Sequence, residues 1–151
     1  MDFGSKLLEI NSEINCPQLK LFAGYPLEIL EKFSQEEGFK KFDYTLFVRT
    51  AVKINIEQLL SYMEVLSKLS KNIIFLEVAK LSESYLKSVD ISKIDLMKPM
   101  KIYDGLYLHN YPQLLERYGY KIVTSEILPA KTFPKQSLTP DHNFVYIHGR
   151  K

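Results

Sequence analysis

Hydrophobic residues are concentrated in two short dense runs flanking a longer stretch of helical period. Residues 42–48 read Phe, Asp, Tyr, Thr, Leu, Phe, Val, and residues 71–78 read Lys, Asn, Ile, Ile, Phe, Leu, Glu, Val. Runs this rich in β-branched and aromatic side chains predict strands. Between them Ile56, Leu59, Leu60, Met63 and Leu66 fall at i, i+3, i+4, i+7 and i+10, the spacing of one helical face. Asn55 stands at the head of that helix with Gln58 three residues on, a capping-box pattern. Strand, crossover helix and strand form a βαβ unit, and nearly continuous apolar strands predict a parallel sheet covered on both faces.

The flanking segments extend the alternation. Ser5 is placed to cap a helix carrying Leu7, Ile10 and Ile14 on one face, stopped at Pro17. Residues 19–23 predict a short strand closed by Gly24, and Pro26 opens a helix with Leu27, Leu30 and Phe33 that ends near Gly38. Beyond the central unit, residues 81–89 predict a short helix and residues 91–100 have mixed period. We expect a single domain over residues 1–151 in which residues 79–108 form an insert shaping a cleft. Asn110 and Gln113 repeat the capping pattern before Leu114, Leu115 and Tyr118, and Gly119 stops the helix. Residues 120–128 predict a strand, residues 129–140 a proline-bearing loop, and residues 143–148 a last strand. Two strands joined without a helix cannot easily be parallel neighbours, so the sheet should finish with an antiparallel pair.

Composition narrows the function classes. Net charge is +2, with scattered lysines, which is not the basic footprint of a nucleic-acid binder. Hydrophobic residues make 46% and charged residues 25% of 151 positions, ordinary for a folded soluble chain. No stretch approaches the 18 or so apolar residues of a membrane span, and no signal-peptide pattern opens the chain. A single cysteine, Cys16, excludes an internal disulfide and fits a reducing, cytoplasmic setting. It has no lysine or histidine immediately beside it to activate it. His142 and His148 lack partners at metal-ligand spacing, and we expect no metal site.

The order of elements resembles the class I S-adenosylmethionine-dependent methyltransferases, joined after their first strand and glycine-rich loop. Asp2, followed by Phe3 and a helix, is similar to the acidic end of the family's second strand, which holds the cofactor ribose. Gly24 and Tyr25 stand where the family has a Gly-Asp pair near the adenine, with a tyrosine replacing the acid. Phe42-Asp43 matches the usual start of the fourth strand, whose carboxyl end, here Phe47 to Arg49, lines the cofactor and substrate cleft. The run Tyr111-Pro112-Gln113-Leu114-Leu115-Glu116-Arg117-Tyr118-Gly119-Tyr120 resembles the late helix and the Gly-aromatic start of strand six. Residues 143–148 would be the antiparallel seventh strand. The resemblance implies a Rossmann-like three-layer α/β sandwich, mostly parallel with a C-terminal antiparallel strand pair and N-terminally truncated.

Within that frame, Asp2, Phe3, Gly24, Tyr25, Phe47 and Arg49 are the candidate cofactor residues. His109, where the insert returns to the cleft, is the candidate general base on a substrate hydroxyl; its alternative is a surface or capping histidine. Glu77, at the carboxyl end of a buried strand, either faces the cleft as a substrate contact or lies away from it. Tyr103 and Tyr107, either side of Gly105, would flank a sugar or planar substrate, or pack in the core. The implied activity is transfer of a methyl group from S-adenosylmethionine to a small hydroxylated molecule such as a sugar. The sequence contains no Gly-x-Gly loop, so a chain complete at these residues would lack half of that cofactor site, and S-adenosylmethionine binding would be incomplete or lost. Without a first strand beside it, 42–48 would present an open edge, covered by strand 19–23, by a homodimer mate or by a partner chain. The second function class is therefore a non-catalytic interaction module that completes its sheet with a partner. A third is another doubly wound enzyme, such as half of a glycosyltransferase.

Overall fold

A computed structural model describes residues 26–103, 105–129 and 142–151. The chain divides into two compact units, Met1–Phe39 and Lys40–Lys151. In the first, helix α1 (Pro26–Gln35) begins at its proline, and Gly38 adopts φ 77° just beyond its end. Phe33 and Phe39 approach ring to ring at 5.3 Å. The anticipated helix and strand over residues 5–23 lie outside the described residues.

The second unit holds a four-stranded sheet of β1 (Phe42–Val48), β2 (Ser70–Lys80), β5 (Lys121–Leu128) and β6 (His142–Arg150) in the order β1-β2-β6-β5. β1 and β2 are parallel, while β6 runs antiparallel to both β2 and β5. Three strands therefore share one direction and the last in sequence is inserted against them, which is the anticipated mixed sheet with its antiparallel finish. The crossover is helix α2 (Ile56–Leu69), where the Asn55 side chain accepts from the Gln58 N–H at 2.9 Å. Its buried residues Ile56, Leu59, Met63, Leu66 and Leu69 form one stripe, which confirms the helical period read between the strands.

Helix α3 (Glu83–Ser88) and a 3-10 turn at Ile91–Lys93 follow β2. Next comes a small hairpin of β3 (Met100–Tyr103) and β4 (Leu106–Leu108), turned at Gly105 with φ 72°. The sequence pattern predicts no strands for this hairpin, which begins where the mixed-period segment 91–100 ends, because strands of four and three residues are too short to show alternation. Helix α4 (Tyr111–Arg117) is capped by Asn110, whose Oδ1 accepts from the Gln113 N–H at 3.0 Å, and it ends before Gly119, φ 81°.

Register decides which face is core. Phe47, Phe75 and Ile147 lie side by side across three strands, all buried. α4 packs so closely on this face that a Cβ on Gly149 would stand 2.9 Å from both Leu115 methyl groups. Tyr118 and Tyr120 tie the end of α4 to α2 and to the start of β2, donating to the carbonyls of Leu60 at 3.0 Å and of Ser70 at 2.9 Å. On the opposite face Tyr44, Leu46 and Val48 of β1 are 59%, 60% and 50% exposed. Among the described residues, no helix is long and apolar enough to cross a membrane.

Candidate functional site

Open α/β sheets bind ligands beyond the carboxyl ends of their parallel strands. β1 ends at Val48, which pairs with Leu76 of β2, and Glu77 is the next residue along β2, three short of its end at Lys80; the chain folds a tight turn at this point. Arg49 leaves β1 in the left-handed region, φ 55°, a conformation that costs a non-glycine residue about 1 kcal/mol or more. Its N–H donates to the Leu76 carbonyl at 2.9 Å, and the Thr50 hydroxyl donates to the Val48 carbonyl at 2.9 Å. A 3-10 turn, Ala51–Lys53, follows and carries the chain to the Asn55 cap.

The turn is gripped from the core side. Glu77 Oε1 accepts from the Ala51 N–H at 2.9 Å and Oε2 from the Val52 N–H at 3.3 Å. His109 Nε2 lies 3.1 Å from the Ala51 carbonyl and 3.0 Å from the Ile54 carbonyl. Both neighbours are acceptors, so Nε2 carries the proton and donates to them. Glu77 and His109 are each 0% exposed. Burial pushes the Glu77 carboxyl above its ordinary value, opposed by the N–H groups of Ala51, Val52 and Thr50 and by the Lys53 charge. Burial likewise holds His109 below its ordinary value, so the imidazole is neutral near pH 7.

A file of rings runs beneath the turn: Phe47 stacks on Phe75 at 4.9 Å, and Phe75 meets Tyr111 at 4.7 Å. Tyr111 in turn meets His109 edge-on at 5.7 Å, and Tyr107 lies 6.1 Å from His109. The His109 Nδ1 and the Tyr111 hydroxyl are buried without hydrogen-bond partners. Burial, reinforced by the Glu77 charge, pushes the Tyr111 hydroxyl far up, so it stays protonated. Above the turn, Val52 packs with Phe144 against Leu76, Leu106 and Leu128, which brings the β3–β4 hairpin to the same end of the sheet.

The structure thus gathers Phe47, Arg49, Glu77, Tyr107 and His109 at one end of the sheet. Their exposures differ: Arg49 is exposed and Tyr107 half-buried, while Phe47, Glu77 and His109 are buried. Tyr103 closes β3, but its side chain lies outside the described set, as do Asp2, Phe3, Gly24 and Tyr25. Sequence reasoning missed Tyr111 and the backbone of Ala51 and Val52. A usable signal was present in Glu77 itself, because a carboxylate inside an apolar strand must find donors nearby. Among the described residues no group of three His, Cys, Asp or Glu could hold a metal ion. A groove of about 510 Å³ along β5, lined by Val89, Ile91, Pro112 and Ile127 among others, includes none of these residues.

The described glycines do not make a cofactor cradle. Gly38 precedes β1, Gly105 turns the hairpin, Gly119 follows α4 and Gly149 lies within β6. None opens a helix at the carboxyl end of a parallel strand, where a nucleotide-like ligand needs close backbone approach.

Sheet order, strand directions and the inserted last strand define a Rossmann-like α/β fold of the methyltransferase type. A solved relative in shape is the crystal structure of magnesium protoporphyrin IX methyltransferase (ChlM) from Synechocystis PCC 6803 with bound SAH. It is similar at a TM-score of 0.53 and 12% sequence identity, over 98% of this chain and 58% of that chain. This chain therefore spans somewhat over half the length of that protein, and the likeness is one of fold. No protein-family model matches the sequence, and no curated protein matches it.

Proposed function

We propose that this chain is a methyltransferase-type domain carrying the strand-end half of an S-adenosylmethionine cleft, with the glycine-rich half supplied from outside these 151 residues or lost. The observation that carries this reading is the order β1-β2-β6-β5 with β6 antiparallel, in a chain that aligns over 98% of its length with a methyltransferase fold. In this reading Arg49, exposed at the strand end, offers its guanidinium to an anionic group of cofactor or substrate. Tyr107 offers a ring to a small hydroxylated substrate, with Tyr103 beside it on the hairpin, and the segment 79–108 shapes the acceptor side. Asp2, Phe3, Gly24, Tyr25 and Phe47 are the other proposed cofactor residues. His109 would act as base on a substrate hydroxyl only if residues 49–54 open, because the imidazole has no exposed surface. Titration calorimetry with S-adenosylmethionine decides: micromolar to millimolar binding supports the reading, and no heat at millimolar ligand removes it for this chain. An in-frame Gly-x-Gly loop in the DNA preceding the Met1 codon would place both halves on one polypeptide.

A second reading is favoured by the exposed Tyr44, Leu46 and Val48 on β1, the outermost strand of the described sheet. Such a strand can take up another by main-chain pairing, making the protein a module that completes its sheet with a second copy or a partner chain. A monodisperse monomer whose 42–48 amides all exchange rapidly would remove this reading.

A further inference from the structure

Four backbone groups of residues 51–54 are held by two side chains that are distant in sequence. Glu77 takes the N–H groups of Ala51 and Val52, and His109 takes the carbonyls of Ala51 and Ile54. The chemistry is matched: an ionised carboxylate only accepts and meets two donors, while a neutral imidazole donates once and shares that proton between two acceptors. This arrangement fixes the tautomer, with the lone pair on the buried Nδ1. The held segment follows a left-handed Arg49, a shape the chain does not favour by itself.

We propose that Glu77 and His109 are positioning residues that hold residues 49–54 in one shape from beneath, so that they aim the Arg49 side chain without touching a ligand. The proposal rests on the reading above that ligands bind beyond the ends of β1 and β2. It accounts for two ionisable groups that are completely buried at a place where a catalytic group would need to meet substrate. The titratable and charged neighbours of Glu77 and His109 are Lys53 on the turn itself, Tyr111 on α4 and Tyr107 on β4.

Amide hydrogen exchange by NMR on the full chain tests the grip. Glu77→Gln keeps the shape but replaces one acceptor with an amide group, so the Ala51 and Val52 amides should exchange about tenfold faster, the loss of roughly one hydrogen bond. Amides of Leu59 to Leu66 in α2 should stay unchanged. His109→Gln, which keeps an N–H donor near the Nε2 position, should preserve protection of the turn, whereas His109→Ala should not. In the wild type, after correction for intrinsic exchange, turn protection should follow the titration of Glu77, and that dependence should vanish in Glu77→Gln. This wild-type pH series keeps the test valid if a variant fails to fold.

Unchanged turn protection in Glu77→Gln, or a loss spread equally through α2, overturns the proposal. Calorimetry with S-adenosylhomocysteine on the same samples separates the two claims. Wild-type binding that weakens about tenfold in Glu77→Gln supports the positioning role, and equal affinity overturns that role alone. Absence of wild-type binding overturns the functional reading and the ligand part of this proposal, while the exchange data still decide whether the grip exists.

Discussion

Charged residues inside apolar strands survive only where something answers them, and Glu77 is answered by backbone donors of a turn that follows a different strand. This is why its role was only half legible. Its position late in the 71–78 run predicted which half of the sheet it occupies, although β2 continues to Lys80, and nothing local indicates that residues 51–53 fold over it. His109 is the same case from the other side, since its partners are 58 and 55 residues away. A histidine depressed by burial binds fewer protons in the folded chain than in the unfolded one below its ordinary value of 6.5. Its contribution to stability is therefore fully present above about pH 6.5 and is lost as pH falls toward the folded value. Urea unfolding from pH 8 to pH 5 should show this loss in the wild type, and the His109→Gln variant should show a flatter profile over the same window. Gly149 makes a steric prediction. With a Cβ only 2.9 Å from Leu115 and 3.1 Å from Tyr120, Gly149→Ala should lower stability by about 1–3 kcal/mol in the same assay, because α4 cannot retreat without breaking its packing.

Elements long enough to show their period were readable, and so were their ends. Asn55 and Asn110 both cap the helices they precede, as the Asn-x-x-Gln spacing implies. The hairpin β3–β4 was not readable, since strands of four and three residues give no alternation to detect. The two caps differ in weight. Asn55 accepts from the Gln58 N–H at an exposed site, and Asn55→Ala should cost about 1 kcal/mol. Asn110 additionally donates to the carbonyls of Ser92 at 2.9 Å and Ile94 at 2.7 Å, fastening the segment after α3 to the head of α4. Asn110→Ala should therefore cost about 2–3 kcal/mol, the cap plus two part-buried acceptors left without this donor. Thermal unfolding of the two variants side by side should rank them in that order.

For the whole molecule, the resemblance predicted a mixed sheet finishing in an antiparallel pair, and that is the sheet observed. The cofactor half of the site was not legible in the same way, because the residues that would carry it, Asp2, Phe3, Gly24 and Tyr25, depend on placement rather than pattern. The exposed row on β1 has a consequence for association. If sheet completion by a second copy operates, the wild-type chain should scatter light as a species larger than a monomer. Leu46→Lys, which puts a charge in the middle of that row at 60% exposure, should return it to monomer mass without lowering its melting temperature. Equal masses for the two proteins would exclude a self-association that uses this face.

The strand read last is not at the margin of the sheet but inside it, between β2 and β5. During synthesis β2 is finished long before the only described strand that joins it to β5 exists. At about 5–20 residues per second, the gap between Lys80 and His142 corresponds to several seconds in which the N–H and C=O groups on one edge of the apolar strand β2 lack their β6 partners. Folding of this unit therefore ends in a late zipping step from the C-terminal side, and chaperone capture or mispairing of nascent chains should be greatest in that interval.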